Sequence, residues 1–211
     1  MAGPHENLEH AEHAEHAAHS NKNIALLISV LALFLAFSET LGKSAQTAGI
    51  SDNVEASNLW AFFQAKTIRM TTLRTTAEHL QITADSTDNP AAKAAMLKSI
   101  DTWKKTAARY DDEPSTNEGR KQLSARAKQA EHNRDTAMAR YHNYELASAA
   151  FQIGIVLASA TIITGMIVLS YISGGLGIIG LAFTGIGLFA PELPHEWMHW
   201  LSALFSAGGG H

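Results

Sequence analysis

The chain has 211 residues, of which 46% are hydrophobic and 17% are charged, and it contains no cysteine. The lack of cysteine excludes disulfides, Cys-ligated zinc, iron–sulfur clusters and a thiol nucleophile. All of the 16 Lys and Arg residues except Lys22 lie between Lys43 and Arg140, and no charged residue lies between Glu145 and Glu192. Uncharged segments on both sides of a polar middle predict a membrane protein. Acidic and basic residues nearly balance in that middle, which excludes a nucleic-acid-binding footprint.

The N-terminal part of the chain changes from polar to apolar within a few residues. Residues 1–22 are rich in His, Glu and Ala and predict a disordered tail, because they lack the apolar content to fold alone. Residues 23–41 follow as a predicted first transmembrane helix. A cleaved signal peptide is the alternative, but only Lys22 precedes the apolar run and Ser44-Ala45-Gln46 is a poor cleavage site.

Two further spans are predicted near the C-terminus. Residues 147–171 form the second and residues 176–190 the third, joined by Ser173-Gly174-Gly175 as a hairpin link. Residues 191–211 are predicted as an amphipathic tail in the membrane interface. Small residues at helical spacing indicate close helix packing within the membrane and favour self-association; they are Ala150, Gly154, Ala158, Gly180 and Thr184.

The polar middle, residues 42–146, shows helical periodicity and predicts a soluble part of about three helices. Asp85–Pro90 reads as a turn with proline at a first helical position. The apolar register that starts at Leu123 continues through Tyr144 to Phe151, which predicts one helix running unbroken from the polar middle into the second span. The predicted fold is an all-α membrane protein with three transmembrane helices and a slim, hairpin or coiled-coil-like soluble middle.

The segment after the first span, Glu55-Ala56-Ser57-Asn58-Leu59-Trp60-Ala61-Phe62-Phe63-Gln64-Ala65-Lys66, carries a resemblance. Its Glu-Ala-Ser-x-x-Trp-x-x-x-Gln-Ala-Lys pattern resembles a bacterial family of short three-span membrane proteins known only as a domain of unknown function. The resemblance implies an inner-membrane protein and brings no activity, cofactor or catalytic residue with it.

The sharpest chemical motif is His195-Glu196-Trp197-Met198-His199, which fits the zinc-peptidase pattern H-E-x-x-H. A catalytic zinc needs a third protein ligand, and only His211 is available among the residues that follow. The favoured alternative is an interfacial amphipathic helix with Trp197 and Trp200 at the headgroups.

A second histidine cluster, His10, His13, His16 and His19, has the spacing for weak binding of Zn²⁺, Ni²⁺ or Cu²⁺. A solvated low-complexity tail is the favoured interpretation, so neither histidine group is predicted as a confident metal site.

Glu39 is a candidate functional acid, because a carboxylate within a span is a default candidate for proton or ion transfer. The alternative is a carboxylate that reaches the interface one turn before Lys43.

Together these features predict a non-catalytic inner-membrane scaffold or assembly protein that self-associates and needs no cofactor. A subunit of an oligomeric channel or transporter, with Glu39 and Gln152 along the path, is the alternative, and a zinc metallopeptidase is less favoured. The Lys and Arg residues that flank the spans favour a cytoplasmic middle. The expected partners are the lipid bilayer, further copies of the chain and another membrane protein.

Overall fold

The computed structural model describes residues 4–191, with side chains from Lys22 onward. Within these residues it has four α-helices and no strand: α1 (Pro4–Asp85), α2 (Pro90–Asp111), α3 (Arg120–Thr164) and α4 (Val168–Phe189). Three helices are long and apolar enough to cross a membrane: α3, α4 and the part of α1 from Lys22 to Asp85. The prediction of an all-α protein with three such helices is confirmed for this part of the chain.

α1 is longer than any helix that the sequence predicts. The sequence predicts a disordered tail to residue 22, a span that ends at residue 41 and a separate helix beyond it, but α1 continues through all three. Ala and Glu, which are frequent in the tail, are strong helix formers. No proline follows Pro4 within α1, so its glycine and serine residues weaken the helix without ending it. The polar middle therefore shares α1 with the first span.

The connection between the second and third spans also differs from the prediction. α3 ends at Thr164, and the turn is made by Gly165, Met166 and Ile167. Gly165 has φ +71°, a conformation that glycine adopts without strain, and its N–H donates to the Thr161 carbonyl. Ser173-Gly174-Gly175, the predicted link, is helical within α4. By contrast, the predicted continuity of α3 is confirmed, because the helix runs unbroken over 45 residues.

The described residues divide into two compact units. The first, called the span unit, contains the described residues up to Ala48 and from Thr136 onward. The second, called the polar unit, is Gly49–Asp135. Both units contain part of α1 and part of α3.

The span unit has an apolar core made by its three helices. Leu31 of α1 and Ala147 and Phe151 of α3 are buried at its centre. Phe34 stacks on Phe151 with ring centroids 6.0 Å apart, and Phe183 of α4 packs against the same core. Apolar contacts thus join each helix of this unit to the other two.

Most of the buried apolar residues of the polar unit are alanine. Its core contains Ala56, Leu59, Leu123, Ala127 and Ala130, with Trp60 and Phe63 against it. The second helix of the unit, α2, starts at a proline as the sequence predicts, and the Asn89 side chain caps it by accepting from the N–H groups of Ala91 and Ala92.

Candidate functional site

The small residues of α4 face the interior of the span unit. At steps of four and three residues it buries Ser173, Gly177, Gly180, Thr184 and Gly187. A Cβ atom added to Gly180 would lie 2.6 Å from Cε1 of Phe151, and one added to Gly177 would lie 2.8 Å from Cδ2 of Leu31. These glycines let α4 approach large side chains of α3 and α1.

The small residues predicted on the second span are also inside the unit. Ala150, Gly154 and Ala158 are buried, and a Cβ atom on Gly154 would lie 3.2 Å from Cδ1 of Leu31. The residues from which the sequence predicts association between chains are therefore occupied by contacts within one chain. Self-association remains a prediction, and it requires a different surface.

Two hydrogen bonds link α4 to the other helices in the buried part of the span unit. The Thr184 hydroxyl lies 2.9 Å from both the Ser38 hydroxyl and the Gly180 carbonyl oxygen. Because a hydroxyl has one proton, Thr184 donates to Gly180 and accepts from Ser38. The Ser173 hydroxyl donates to the Gly154 carbonyl over 2.7 Å. Each bond of this kind contributes about 0.6 kcal/mol in a bilayer, so they orient α4 more than they stabilise it.

The candidate acid Glu39 lies on the outside of the span unit. Gln152 Nε2 donates to Glu39 Oε1 over 3.3 Å, and both side chains are exposed. This contact joins α1 to α3, so the partner of Glu39 in the structure is Gln152 rather than Lys43. The structure brings together the two polar residues that the sequence suggested for a transport path.

A groove beside Glu39 runs between α1 and α3 and has a volume of about 330 Å³. We call it the α1–α3 groove. Four of its residues are buried and form its floor: Ser38, Gly42, Tyr144 and Ser148. Four exposed residues form its rim: Glu39, Lys43, Gln46 and Glu145. Half-buried Tyr141 completes the lining. The rim thus places two carboxylates and one ammonium group around a floor of hydroxyl and ring atoms.

Asn143 is a structural residue that the sequence did not identify. It is 1% exposed, and its Nδ2 donates to the carbonyls of Ala139 and Pro191 over 2.9 and 3.1 Å. Because Pro191 lies just after α4, this amide attaches the end of α4 to α3.

The polar unit contains a buried cation, Lys66, whose side chain is only 7% exposed. Its Nζ lies 3.8 Å from Glu113 Oε2 and 3.9 Å from Glu118 Oε2. The same atom lies 5.4 Å and 5.0 Å from the ring centroids of Phe62 and Tyr110, within cation–π range. Lys66 therefore links α1 to the end of α2 and to the loop before α3. In the sequence, Lys66 can be recognised as a charged residue that interrupts a helical stripe of apolar residues.

Arg120, at the start of α3, makes a second set of links in the polar unit. Its Nε donates to the Thr67 hydroxyl over 2.9 Å, and its Nη1 donates to Asp111 Oδ1 over 2.9 Å. The guanidinium carbon lies 4.9 Å from the Phe63 ring centroid. Arg120 therefore connects α1, α2 and α3.

The segment that carries the family resemblance has a structural role in the same unit. Trp60 Nε1 donates to Glu131 Oε1 of α3 over 2.8 Å, and the Trp60 ring contacts Phe63 edge-on at 5.4 Å. Lys66 ends the segment in the buried position described above, whereas Gln64 is exposed. Its two most distinctive residues therefore hold helices together.

The loop between α2 and α3 is held by an exposed charged group. Asp112 accepts hydrogen bonds from Gln122 Nε2 at 2.7 Å and from Lys121 Nζ at 3.0 Å. These bonds keep the pKa of the Asp112 carboxyl below 3.8, and the same carboxylate raises the pKa of Lys121 above 10.5. Both groups are therefore charged at neutral pH.

The outward face of α1 in the polar unit carries four exposed apolar side chains: Ile50, Val54, Ile68 and Ile82, at 59%, 54%, 67% and 71% exposure. At 100° per residue they lie within a sector of about 80°, opposite buried Leu59 and Ala77. We call this surface the α1 outer face.

A threonine-rich groove of about 470 Å³ lies on the α1 outer face beside Ile68. Thr67, Thr72 and Thr76 donate their hydroxyl protons to carbonyls four residues earlier, at 2.8–2.9 Å. Because these donors are satisfied within the helix, the threonines present an outer surface that is less polar than their sequence suggests.

The histidine motifs lie outside the described side chains. His195 and His199 fall in residues 192–211, and His10, His13, His16 and His19 precede the first described side chain. Among the side chains that the structure describes, no group of three or more His, Asp or Glu residues could hold a metal ion.

Comparison with known proteins identifies one family. The model of the family described as "Domain of unknown function (DUF4337)" matches residues 20–190. No curated protein and no solved structure matches the chain.

Proposed function

This chain belongs to the DUF4337 family, whose function is unknown. From the residues of the chain itself we propose that it is a non-catalytic membrane scaffold that self-associates through its polar unit. Its spans would anchor it in a bacterial inner membrane, and the Lys and Arg residues near the spans favour a cytoplasmic polar unit. This proposal assigns self-association to the α1 outer face instead of the small residues of the spans.

The observation that carries the proposal is the exposed apolar stripe on α1. Ile50 and Ile82 are 32 residues apart, so the stripe extends over about 48 Å of helix. Exposed apolar side chains that share one face of a helix in a polar part of a protein favour an interaction site on that face. Between these apolar residues the same face carries the small residues Ser57, Ala61 and Thr72, where a second helix can approach, and the larger polar residues Gln64 and His79.

A second copy of the same chain is the partner that fits this face best. An antiparallel or parallel α1 from another copy has the same length and the same exposed apolar residues, so a two-fold contact can bring apolar residues against apolar residues. Contacts inside the polar unit hold α1 in place for such an association, because Arg120 joins α1, α2 and α3 and Lys66 joins α1 to the loop between α2 and α3.

Replacing Ile68 with aspartate tests the proposal. In a two-fold contact each chain would place a charge in an apolar surface, so we expect the association constant to fall at least about tenfold. The measurement is the mass of the purified protein in lipid nanodiscs over a range of protein-to-lipid ratios.

Leu97→Asp on α2 is the matched control for this experiment, because Leu97 is an exposed apolar residue, 41% accessible, outside the α1 outer face. We expect this variant to keep the mass of the unmodified protein. A monomeric unmodified protein, or equal behaviour of the two variants, would contradict the proposed self-association.

A channel or transporter subunit is the second candidate, because Glu39 and Gln152 form a polar pair on the outer surface of apolar helices. In this case several copies would enclose the pair in a path. Proton or cation flux into vesicles that contain the protein, lost in Glu39→Gln and retained in Glu55→Gln, would favour transport over the scaffold function. We expect no such flux.

A further inference from the structure

The α1–α3 groove lies where the uncharged parts of two helices end. On α1 no charged residue occurs from Asn23 to Ser38, and Glu39 and Lys43 are the first charges that follow. On α3 no charged residue follows Glu145. The first charges next to an apolar span mark the edge of the hydrocarbon layer, where lipid headgroups lie. If the helices cross a membrane, the groove opens at headgroup level.

The groove has a built floor. Tyr144 is 4% exposed, and a Cβ atom on Gly42 would lie 3.4 Å from Tyr144 Cβ, so α1 and α3 are in close contact beneath it. The buried Ser38 hydroxyl is engaged with Thr184. The volume of about 330 Å³ is within the range of small-ligand sites, roughly 300–1,000 Å³.

The charges around the groove are suited to a ligand with one cationic and one anionic group. Among the described side chains, Glu39 accepts from Gln152 Nε2 at 3.3 Å and Glu145 lies 3.9 Å from His142 Nδ1. A carboxylate has about four acceptor sites, so both can accept further hydrogen bonds. Lys43 takes part in none of the ion pairs formed by the side chains of residues 22–191. One ammonium is thus available for an anion.

We propose that the α1–α3 groove binds the headgroup of an ethanolamine phospholipid. The primary ammonium of the lipid donates to Glu39 and Glu145, and its phosphate accepts from Lys43. A choline headgroup has the same charges but no N–H donor, so it binds more weakly. An anionic glycerol headgroup has no cation to offset the two carboxylates. The affinity of the groove therefore decreases from ethanolamine to choline to glycerol lipids.

The test is native mass spectrometry of the full-length protein in detergent, with equal amounts of ethanolamine, choline and glycerol phospholipids that have the same acyl chains. Both headgroups carry the same charges, but only the ethanolamine ammonium can donate N–H hydrogen bonds to the two carboxylates, so we expect a preference of about fivefold for the ethanolamine over the choline lipid. Equal binding of the three lipids would overturn the proposal.

Substitutions separate the two halves of the site. Glu39→Gln combined with Glu145→Gln should bring the ratio of ethanolamine to choline lipid close to one. Lys43→Ala should weaken the binding of both lipids and leave that ratio unchanged, because both contain the phosphate. Glu55→Gln removes an exposed carboxylate of α1 outside the groove and should change neither quantity.

Soluble phosphoethanolamine distinguishes a lipid from a free ligand. At the concentration of the lipid it should not displace the lipid, because it lacks the acyl chains that contact the apolar helices. Full displacement at that concentration would overturn the assignment to a lipid, and so would a lost preference in Glu55→Gln. These outcomes do not depend on the mass of the oligomer, so they are separate from the test of the scaffold function.

Discussion

Gly180→Leu should strongly destabilise the span unit. A Cβ atom at this position would lie 2.6–2.9 Å from three atoms of the Phe151 ring, and the ring is fully buried with little freedom to move. Overpacking of this kind costs about 1–3 kcal/mol, and leucine adds three further carbon atoms. We expect a lower midpoint when the purified protein is unfolded by increasing sodium dodecyl sulfate and followed by circular dichroism.

Gly175→Leu is the control, since Gly175 is exposed on the same helix and a Cβ atom there would have no neighbour within 4 Å. Leucine is a better helix former than glycine by up to about 1 kcal/mol, so this variant should be as stable as the unmodified protein or slightly more stable.

A double-mutant cycle tests whether the Phe151 ring is the cause of the effect. Phe151→Ala is destabilising alone, but combined with Gly180→Leu it should cost less than the sum of the two single changes, because the ring that clashes is absent. If Gly180→Leu and Gly175→Leu unfold at the same midpoint, close approach of α4 to α3 is not what holds the span unit together.

Lys66→Ala should have the second large effect, this time on the polar unit. The substitution leaves the mostly buried Glu113 without its contact at 3.8 Å and removes the cation from between Phe62 and Tyr110. Loss of a fully buried partner costs about 3–5 kcal/mol, but Glu118 is half exposed and Arg109 still contacts Glu113 at 3.4 Å. With these two facts taken into account, we expect a loss of about 1–3 kcal/mol.

The measurement is urea unfolding of the full-length protein in detergent, followed by tryptophan fluorescence, because Trp60 lies on the same helix near Lys66. Lys105→Ala is the matched control: its side chain is 76% exposed and paired only with Asp101 at 2.7 Å. We expect it to change stability by less than about 0.5 kcal/mol. Lys66→Met, which keeps the length of the side chain, separates the charge from the packing. A variant with methionine that is as stable as the unmodified protein would show that the ion pairs contribute nothing.

Local chemistry was sufficient to predict several elements of the fold. Hydropathy and the absence of charge identified three segments that are apolar enough to span a membrane. Pro90 predicted the start of α2, because a residue without an N–H fits the first position of a helix, whereas the Asn89 cap was found only in the structure. The register from Leu123 to Phe151 predicted an unbroken α3, since a helical period persists through a change of surroundings.

The helix boundaries near glycine depended on the tertiary structure instead. Ser173-Gly174-Gly175 reads as a break, yet it is helical in the structure, where the Ser173 hydroxyl bonds to the Gly154 carbonyl and Gly177 packs against Leu31. Gly165, which makes the real turn, is a single glycine among apolar residues and has no stronger signal in the sequence.

The sequence also did not predict which helix faces pack against each other. The sequence determined that Ala150, Gly154 and Gly180 were suited to close helix packing, but it did not determine whether the partner was another helix of the chain or another copy. In the tertiary structure these small residues contact other helices of the same chain. The structure also places Lys66 near two aromatic rings and two carboxylates, and Glu39 beside Gln152. The physical reason is that helix propensity and hydropathy are properties of neighbours along the chain, whereas contacts and buried charges depend on residues as many as 146 positions apart.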